Sequence, residues 1–335
     1  MAPRILYGLG QALYEKIFPP TAVKKIAAVC EVLPIPVTQR PNREWLVESA
    51  RRAEIVVSGW DTPMVDAAVL AASPGLKLVA HAAGSIKPMM SPEAWQRGVR
   101  VTGASSAIAI GVAEFCVAMM LTAAKRVYWF SQRTRQGHWN RTDEAYGPAL
   151  EIYHQKVGII GASQVGRHLI KLLQSFDCEV LVYDPYWTRE RLQALGARKV
   201  DTVDEIFTEC RVVSLNAPTT KETEGMIRGR HFAMLREGSV FVNTARGILI
   251  NQDEMVEQLR RGRFVACIDV TTPEPLPVDH PLRTLPNVIL TPHEAGAMAE
   301  NLMRIGEFIA DEVERYAAGA PLVGEVKQSQ LDTIA

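Results

Sequence analysis

The sequence predicts an α/β protein of two units, each a largely parallel sheet covered by helices, and three observations carry that expectation. Strand-like and helix-like runs alternate through AEIVVSG (53–59), TPMVDAAVLAA, LKLVAHAAG (76–84), PEAWQRG and VRVTG (99–103), and the alternation resumes from residue 157. A strand broken by glycine, VGIIG (157–161), feeds a helical run and then a second strand, EVLVYD (179–184), that ends in an acid. Three later stretches, SVFVNTARG (239–247), ACIDVTTPEPLP (266–277) and NVILTPHEAG (287–296), each carry an apolar strand into a polar residue fit for chemistry. At 335 residues, 47% hydrophobic and 22% charged, the chain is long enough to bury the cores of two domains.

The middle element reads as a dinucleotide-binding βαβ unit. In such a unit the helix N-terminus meets a pyrophosphate and the acid after the second strand bonds a ribose diol. Gly161, Ala162, Ser163, Gln164, Val165 and Gly166 stand where G-x-G-x-x-G is expected, so serine replaces the second glycine. A Cβ and hydroxyl there either obstruct the pyrophosphate or donate a hydrogen bond to it. Asp184, 18 residues beyond Gly166, accepts a ribose 2′-hydroxyl but repels a 2′-phosphate, which selects NAD over NADP. Its bland reading is a turn residue, because Asp-Pro favours turn initiation.

The late strands deliver Arg246, Glu274 and His293. Ligands of open parallel sheets sit beyond the carboxyl ends of the strands, so residues placed just after them converge. Polarising and protonating a carbonyl as negative charge builds on its oxygen needs a proton donor and a fixed cation. A carboxylate beside the histidine favours its imidazolium, and arginine offers a planar fork to a carboxylate.

At these motifs the chain resembles the D-isomer-specific 2-hydroxyacid dehydrogenases. VGIIGASQVGR looks like the family's cofactor loop, YDPY (183–186) its ribose strand, and RVVSLNAPTTKETEGMI (211–227) its strand and proline loop ending in a functional threonine. NTARG (243–247), the spacing from Asp269 to Glu274, and TPHEAG (291–296) match its catalytic blocks. The resemblance covers roughly residues 45 to 310. It implies two Rossmann-like domains, a flavodoxin-like substrate domain and an NAD-binding doubly wound parallel sheet, with a cleft between them. The expected boundaries are 1–106 with 299–335 for the substrate domain and 107–298, including an interdomain helix, for the cofactor domain.

Residue by residue, the resemblance gives Arg246 the substrate carboxylate and carbonyl oxygen, His293 the acid/base role, and Glu274 a hydrogen bond to His293. Asp269 would orient the nicotinamide carboxamide. Gly161, Ser163, Gln164, Val165, Gly166, Asp184, Ala217, Pro218, Thr223, Thr244, Ala245, Arg246, His293 and Gly296 complete the implied cofactor shell. Thr223 reads equally as a cap. In the smaller domain LKLVAHAAGSIKPM aligns with the loop whose N–H groups hold the substrate carboxylate, which places Ala83 and Gly84 there. That loop commonly continues with an Asp-Asn pair, whereas Ile86 and Lys87 follow here. His81 and Trp60 close neighbouring strand-like runs, and each reads either as a pocket residue or as part of the core. The expected activity is interconversion of a small D-2-hydroxy acid and its 2-oxo acid with NAD, no metal being needed. The rival is a non-catalytic NAD(H)-sensing interaction protein on the same fold.

Lys plus Arg equals Asp plus Glu at 37 each, so charge argues for neither nucleic acid nor an anionic membrane as partner. The longest apolar run, AIAIGVAEFCVAMMLTAA (107–124), approaches spanning length, but Glu114 interrupts it and its small residues suit a buried helix. The residues that follow, from Trp129 to Gln155, form a long polar and aromatic excursion that in the family embraces a second subunit, implying a homodimer. AENLMRIGEFIADEVERYAAG reads as an amphipathic helix returning to the first domain, and KQSQLDTIA as a fraying end. Five scattered cysteines (30, 116, 178, 210, 267) without metal spacing, and a start with no long apolar core, point to reduced thiols in a cytoplasmic protein.

Overall fold

The computed structural model describes residues 2–34, 40–139, 149–331 and 334. They form two compact units, Met1–Ala109 with Gly296–Thr333, and Ile110–Ala295. The first unit holds β1 (Arg4–Tyr7), β2 (Glu31–Val32), β3 (Ile55–Ser58), β4 (Leu78–His81) and β5 (Arg100–Gly103), all parallel in the order β5-β4-β3-β1-β2. The opening strand β1 lies inside this sheet, between β3 and the edge strand β2, although RILY is too short to announce itself by periodicity. Strands β3 and β4 are buried along their whole length, as expected of parallel strands covered on both faces.

In the second unit β6 (Lys156–Ile160), β7 (Glu179–Tyr183), β8 (Arg198–Val200), β9 (Val212–Leu215), β10 (Ser239–Asn243), β11 (Phe264–Ile268) and β12 (Val288–Leu290) make an all-parallel sheet. Its order is β12-β11-β10-β9-β6-β7-β8. The order reverses between β6 and β9, the switch point at which such sheets bind ligands. Phe207, Phe232, Phe241 and Phe264 stack and cross in one core cluster, the ring centroids of Phe232 and Phe241 being 5.1 Å apart.

The Ser105–Ala124 helix is long and apolar enough by composition to cross a membrane. Within the protein it buries Ala109, Val112, Ala113, Cys116, Met120 and Ala123. Its end is closed by Arg126, a buried residue at φ 57° whose guanidinium donates to Ala123 O at 2.6 Å and Gly238 O at 3.0 Å. The polar excursion begins as a helix, Val127–Arg135, and its central part, residues 140–148, lies outside the described residues. All five cysteines are unpaired, four of them buried.

The C-terminal helix, Ala299–Ala317, packs into the first unit's core through Ile305, Ile309 and Val313. Gly306 permits this, since a Cβ there would stand 1.9 Å from the Ile17 carbonyl oxygen. After it β13 (Glu325–Val326) pairs antiparallel with β5. Buried Glu312 secures the turn by accepting from Thr102 Oγ1 at 2.6 Å, Gly324 N at 2.9 Å and Val323 N at 3.0 Å. Gln328–Gln330 form a 3-10 turn rather than a frayed end, while residues 332, 333 and 335 lie outside the described residues.

Candidate active site

The cofactor loop lies at the β6/β9 switch point, and two of its glycines are dictated by space. Gly161 has φ 97°, and a Cβ on it would stand 2.7 Å from the Ala217 backbone that follows β9. Gly166 is the close-approach glycine, because its Cβ would fall 2.2 Å from Gly161 O. The Gln164–Leu173 helix starts here and buries Leu169, Ile170 and Leu173 against the sheet. Ser163 is its N-cap, accepting from Gly166 N at 3.3 Å. The bond uses an acceptor lone pair of the hydroxyl and leaves its hydrogen available to donate. The N–H groups of Gln164 and Val165 make no hydrogen bond among the described residues. They are the orphan donors an anion needs, and the cradle therefore fits a dinucleotide.

Asp184 closes this cradle from β7. It is buried, with Oδ2 accepting from Ala162 N at 2.7 Å and Oδ1 from Tyr186 N at 2.8 Å. The turn reading of Asp184 is thus realised, and each oxygen still retains acceptor capacity for a ribose hydroxyl. Ala217 is buried and Pro218 half-buried beside Gly161. Thr223 spends its hydroxyl inside the loop, donating to Pro218 O at 2.7 Å and accepting from Thr220 N at 2.8 Å. It braces a turn of this loop.

Beyond β10, Asn243 shapes the next loop, its side chain accepting from Ala245 N at 3.0 Å and donating to Arg246 O at 3.1 Å. Thr244 is buried against Cys116, with Oγ1 and Sγ 3.1 Å apart. Arg246 donates to Ala245 O at 2.6 Å. Burial pushes its guanidinium below the ordinary value, and the nearby Glu274 charge opposes the shift. Gly247 must be glycine, since a Cβ would lie 2.1 Å from the Thr271 carbonyl carbon. This contact seats the Arg246 loop on the loop that carries Glu274. Gln252 clamps the same loop, accepting from Thr272 N at 3.2 Å and donating to Thr272 O at 3.1 Å.

Glu274 accepts from Thr271 N at 2.9 Å through one oxygen and lies 2.8 Å from His293 Nδ1 through the other. A carboxylate can only accept, so Nδ1 carries the donating hydrogen and Nε2 is left for a ligand. The pair is half-exposed, with side-chain exposures of 46% for His293 and 38% for Glu274. His293 has φ 59°, a left-handed conformation held by its N–H bond to Asp269 O at 2.8 Å. Asp269 itself is buried, and its carboxylate accepts from Thr291 Oγ1 at 2.6 Å, Glu294 N at 3.0 Å and Ala295 N at 3.1 Å. Asp269 thereby folds the His293 loop, and Oδ2, with a single bond, retains acceptor capacity.

The remaining candidates lie in the first unit. Ala83 and Gly84 follow β4, and their N–H groups make no hydrogen bond among the described residues. Ile86, standing where an acid is common, is buried against Gly103, which accounts for the departure. His81 is 2% exposed, its Nδ1 lies 2.9 Å from Ser58 Oγ, and its ring also bonds the Ser85 backbone. Both ring nitrogens are engaged, so the pocket role for His81 is corrected to a core role. Trp60 follows β3 and is 49% exposed, which excludes the core reading. Gly296 also belongs to this unit, where its carbonyl accepts from Asn301 Nδ2 at 2.6 Å. Asn243, Gln252 and Thr271 were not found from the sequence, because their hydrogen bonds depend on folding rather than on a motif.

Residues 117–295, more than half of the chain, match the D-isomer specific 2-hydroxyacid dehydrogenase, NAD binding domain. A D-3-phosphoglycerate dehydrogenase of Archaeoglobus fulgidus is 30% identical over 87% of this chain and 54% of its own length. A glyoxylate reductase of Korarchaeum cryptofilum is 30% identical over 83% of this chain and 84% of its own. The chain spans about half the length of the phosphoglycerate dehydrogenases it matches. In fold it is similar to D-mandelate dehydrogenase of Rhodotorula graminis, with a TM-score of 0.83, 22% identity and 98% of both chains covered. Loop by loop and along most of its length, then, the chain belongs to the D-isomer-specific 2-hydroxyacid dehydrogenase family.

Proposed function

We propose that the protein interconverts a D-2-hydroxy acid and its 2-oxo acid with NAD. The observation that carries this reading is the His293–Glu274 bond of 2.8 Å with Nε2 left open, in the charge field of a partly desolvated Arg246. Bound NADH supplies the hydride. Arg246 binds the substrate carboxylate and carbonyl oxygen through its guanidinium fork, drawing charge toward that oxygen. His293 donates its Nε2 proton to the same oxygen as charge develops, and Glu274 holds the ring in the one tautomer that keeps that proton outward. In oxidation the proton returns to Nε2. The N–H groups of Ala83 and Gly84, which make no hydrogen bond among the described residues, support the substrate role that the resemblance gives them. Thr244 and Ala245 line the cofactor shell beside Arg246.

Asp184 supports NAD over NADP through its charge. Ser163 caps a helix and leaves the Gln164 and Val165 N–H donors in place, which supports cofactor binding at this loop. The Ser105–Ala124 helix leaves Phe115, Ala118, Leu121 and Thr122 incompletely buried, which supports a homodimer. Unpaired, mostly buried thiols support a cytoplasmic setting. Following NADH oxidation against a panel of 2-oxo acids that includes glyoxylate tests the activity. Oxidation with one or more acids is expected, and none with any would overturn the reading.

A further inference from the structure

Arg167 follows the last glycine of the cofactor loop and places a half-buried guanidinium beside it. Burial pushes that group below its ordinary value, Arg191 adds to the shift and Asp184 opposes it. A charge held in such a place must be repaid by its hydrogen bonds. Arg167 donates to Ala162 O at 2.8 Å and to Gln164 Oε1, so its fork spans Ser163. Its guanidinium also lies 5.4 Å from the ring centroid of Trp187, just past Asp184, and Arg191 lies 4.0 Å from the same ring. Ala162 is consequently held at its carbonyl by Arg167 and at its N–H by Asp184, 2.7 Å away.

We propose that Arg167 is a positioning residue for the dinucleotide, pinning the loop on both sides of Ser163. The clamp lets the Gln164 and Val165 N–H groups face the pyrophosphate although a side chain stands where glycine is usual. The inference rests on the reading of Gly161–Gly166 as the cofactor loop. Without the clamp the loop would be ordered only on binding, and the fraction of binding-competent protein would fall, lowering affinity while leaving the loaded enzyme intact. A lysine keeps the charge but cannot span two acceptors in one plane.

The test is titration of NADH into the full chain, read by calorimetry, with kcat and KM measured alongside. Arg167→Leu should raise the NADH Kd and KM about tenfold and keep kcat at saturating NADH within about twofold. Arg167→Lys should recover only part of the loss. Should Arg167→Leu not fold, Gln164→Ala removes one anchor and should raise Kd about threefold. Unchanged affinity in the folded variants, a fall in kcat with Kd preserved, or full rescue by lysine would overturn the proposal. A wild-type protein that does not bind NADH would instead refute the cofactor-loop reading on which it rests.

Discussion

In the proposed reaction His293 gives up a proton from Nε2 while Nδ1 stays bonded to Glu274, so its loss should strike the chemical step more than cofactor binding. His293→Ala is expected to lower kcat by about 10² to 10⁴, the range for removing a general acid, with NADH still binding in titration. Near wild-type turnover would remove His293 from the mechanism. Ser163 caps the cofactor helix, and glycine is a tolerable cap whereas alanine is not. Ser163→Ala should cost roughly 1 kcal/mol of stability in denaturant unfolding and Ser163→Gly only a few tenths; equal losses would argue against capping. His81 reports on pH. Burial pushes its imidazole down to about 4, below an unfolded value of about 6.5. The unfolded chain therefore binds the proton first, and the neutral ring stabilises the fold fully above pH about 6.5, losing that contribution as pH falls toward 4. Between pH 7 and 5 the loss is roughly 2 kcal/mol, and His81→Gln should flatten that part of the stability profile.

Among the elements, the loops after β10 and β11 work as one piece because Gly247 lets their backbones touch and Gln252 clamps the second. Gly247→Ala would force a Cβ to within 2.1 Å of the Thr271 carbonyl carbon, and backbone on both sides leaves little room to yield. It should destabilise the protein by about 1 to 3 kcal/mol and reduce kcat more than it weakens NADH binding, since Arg246 and Glu274 separate while Gly161–Gly166 is untouched. Paired thermal unfolding and steady-state kinetics would decide this, and full activity would show that the loops need not be coupled.

For the whole molecule, the incompletely buried Phe115, Ala118 and Leu121 of Ser105–Ala124, which share their face with exposed Glu114, predict a second copy. Light scattering should give a dimer mass for the wild type and a monomer for Leu121→Glu, because a buried unpaired carboxylate costs several kcal/mol at such an interface. A monomeric wild type would refute the homodimer.

The α/β class was legible in the sequence because parallel strands buried on both faces read as continuous apolar runs, and the cofactor loop because its glycines answer to sterics that act within a few residues. Arg246, Glu274 and His293 were legible because strand ends mark the ligand-binding edge of a parallel sheet. The tertiary structure decided what the remaining polar groups do. Asp269, Thr223, Ser163 and His81 each had a plausible ligand role by position, yet all four satisfy backbone or side-chain partners brought to them by folding. Folding supplies such partners because a buried polar group left unpaired costs more than a surface one. Arg167 and Gln252 were silent for the converse reason: their partners are defined by the path of a folded loop, and residue type alone does not reveal that path.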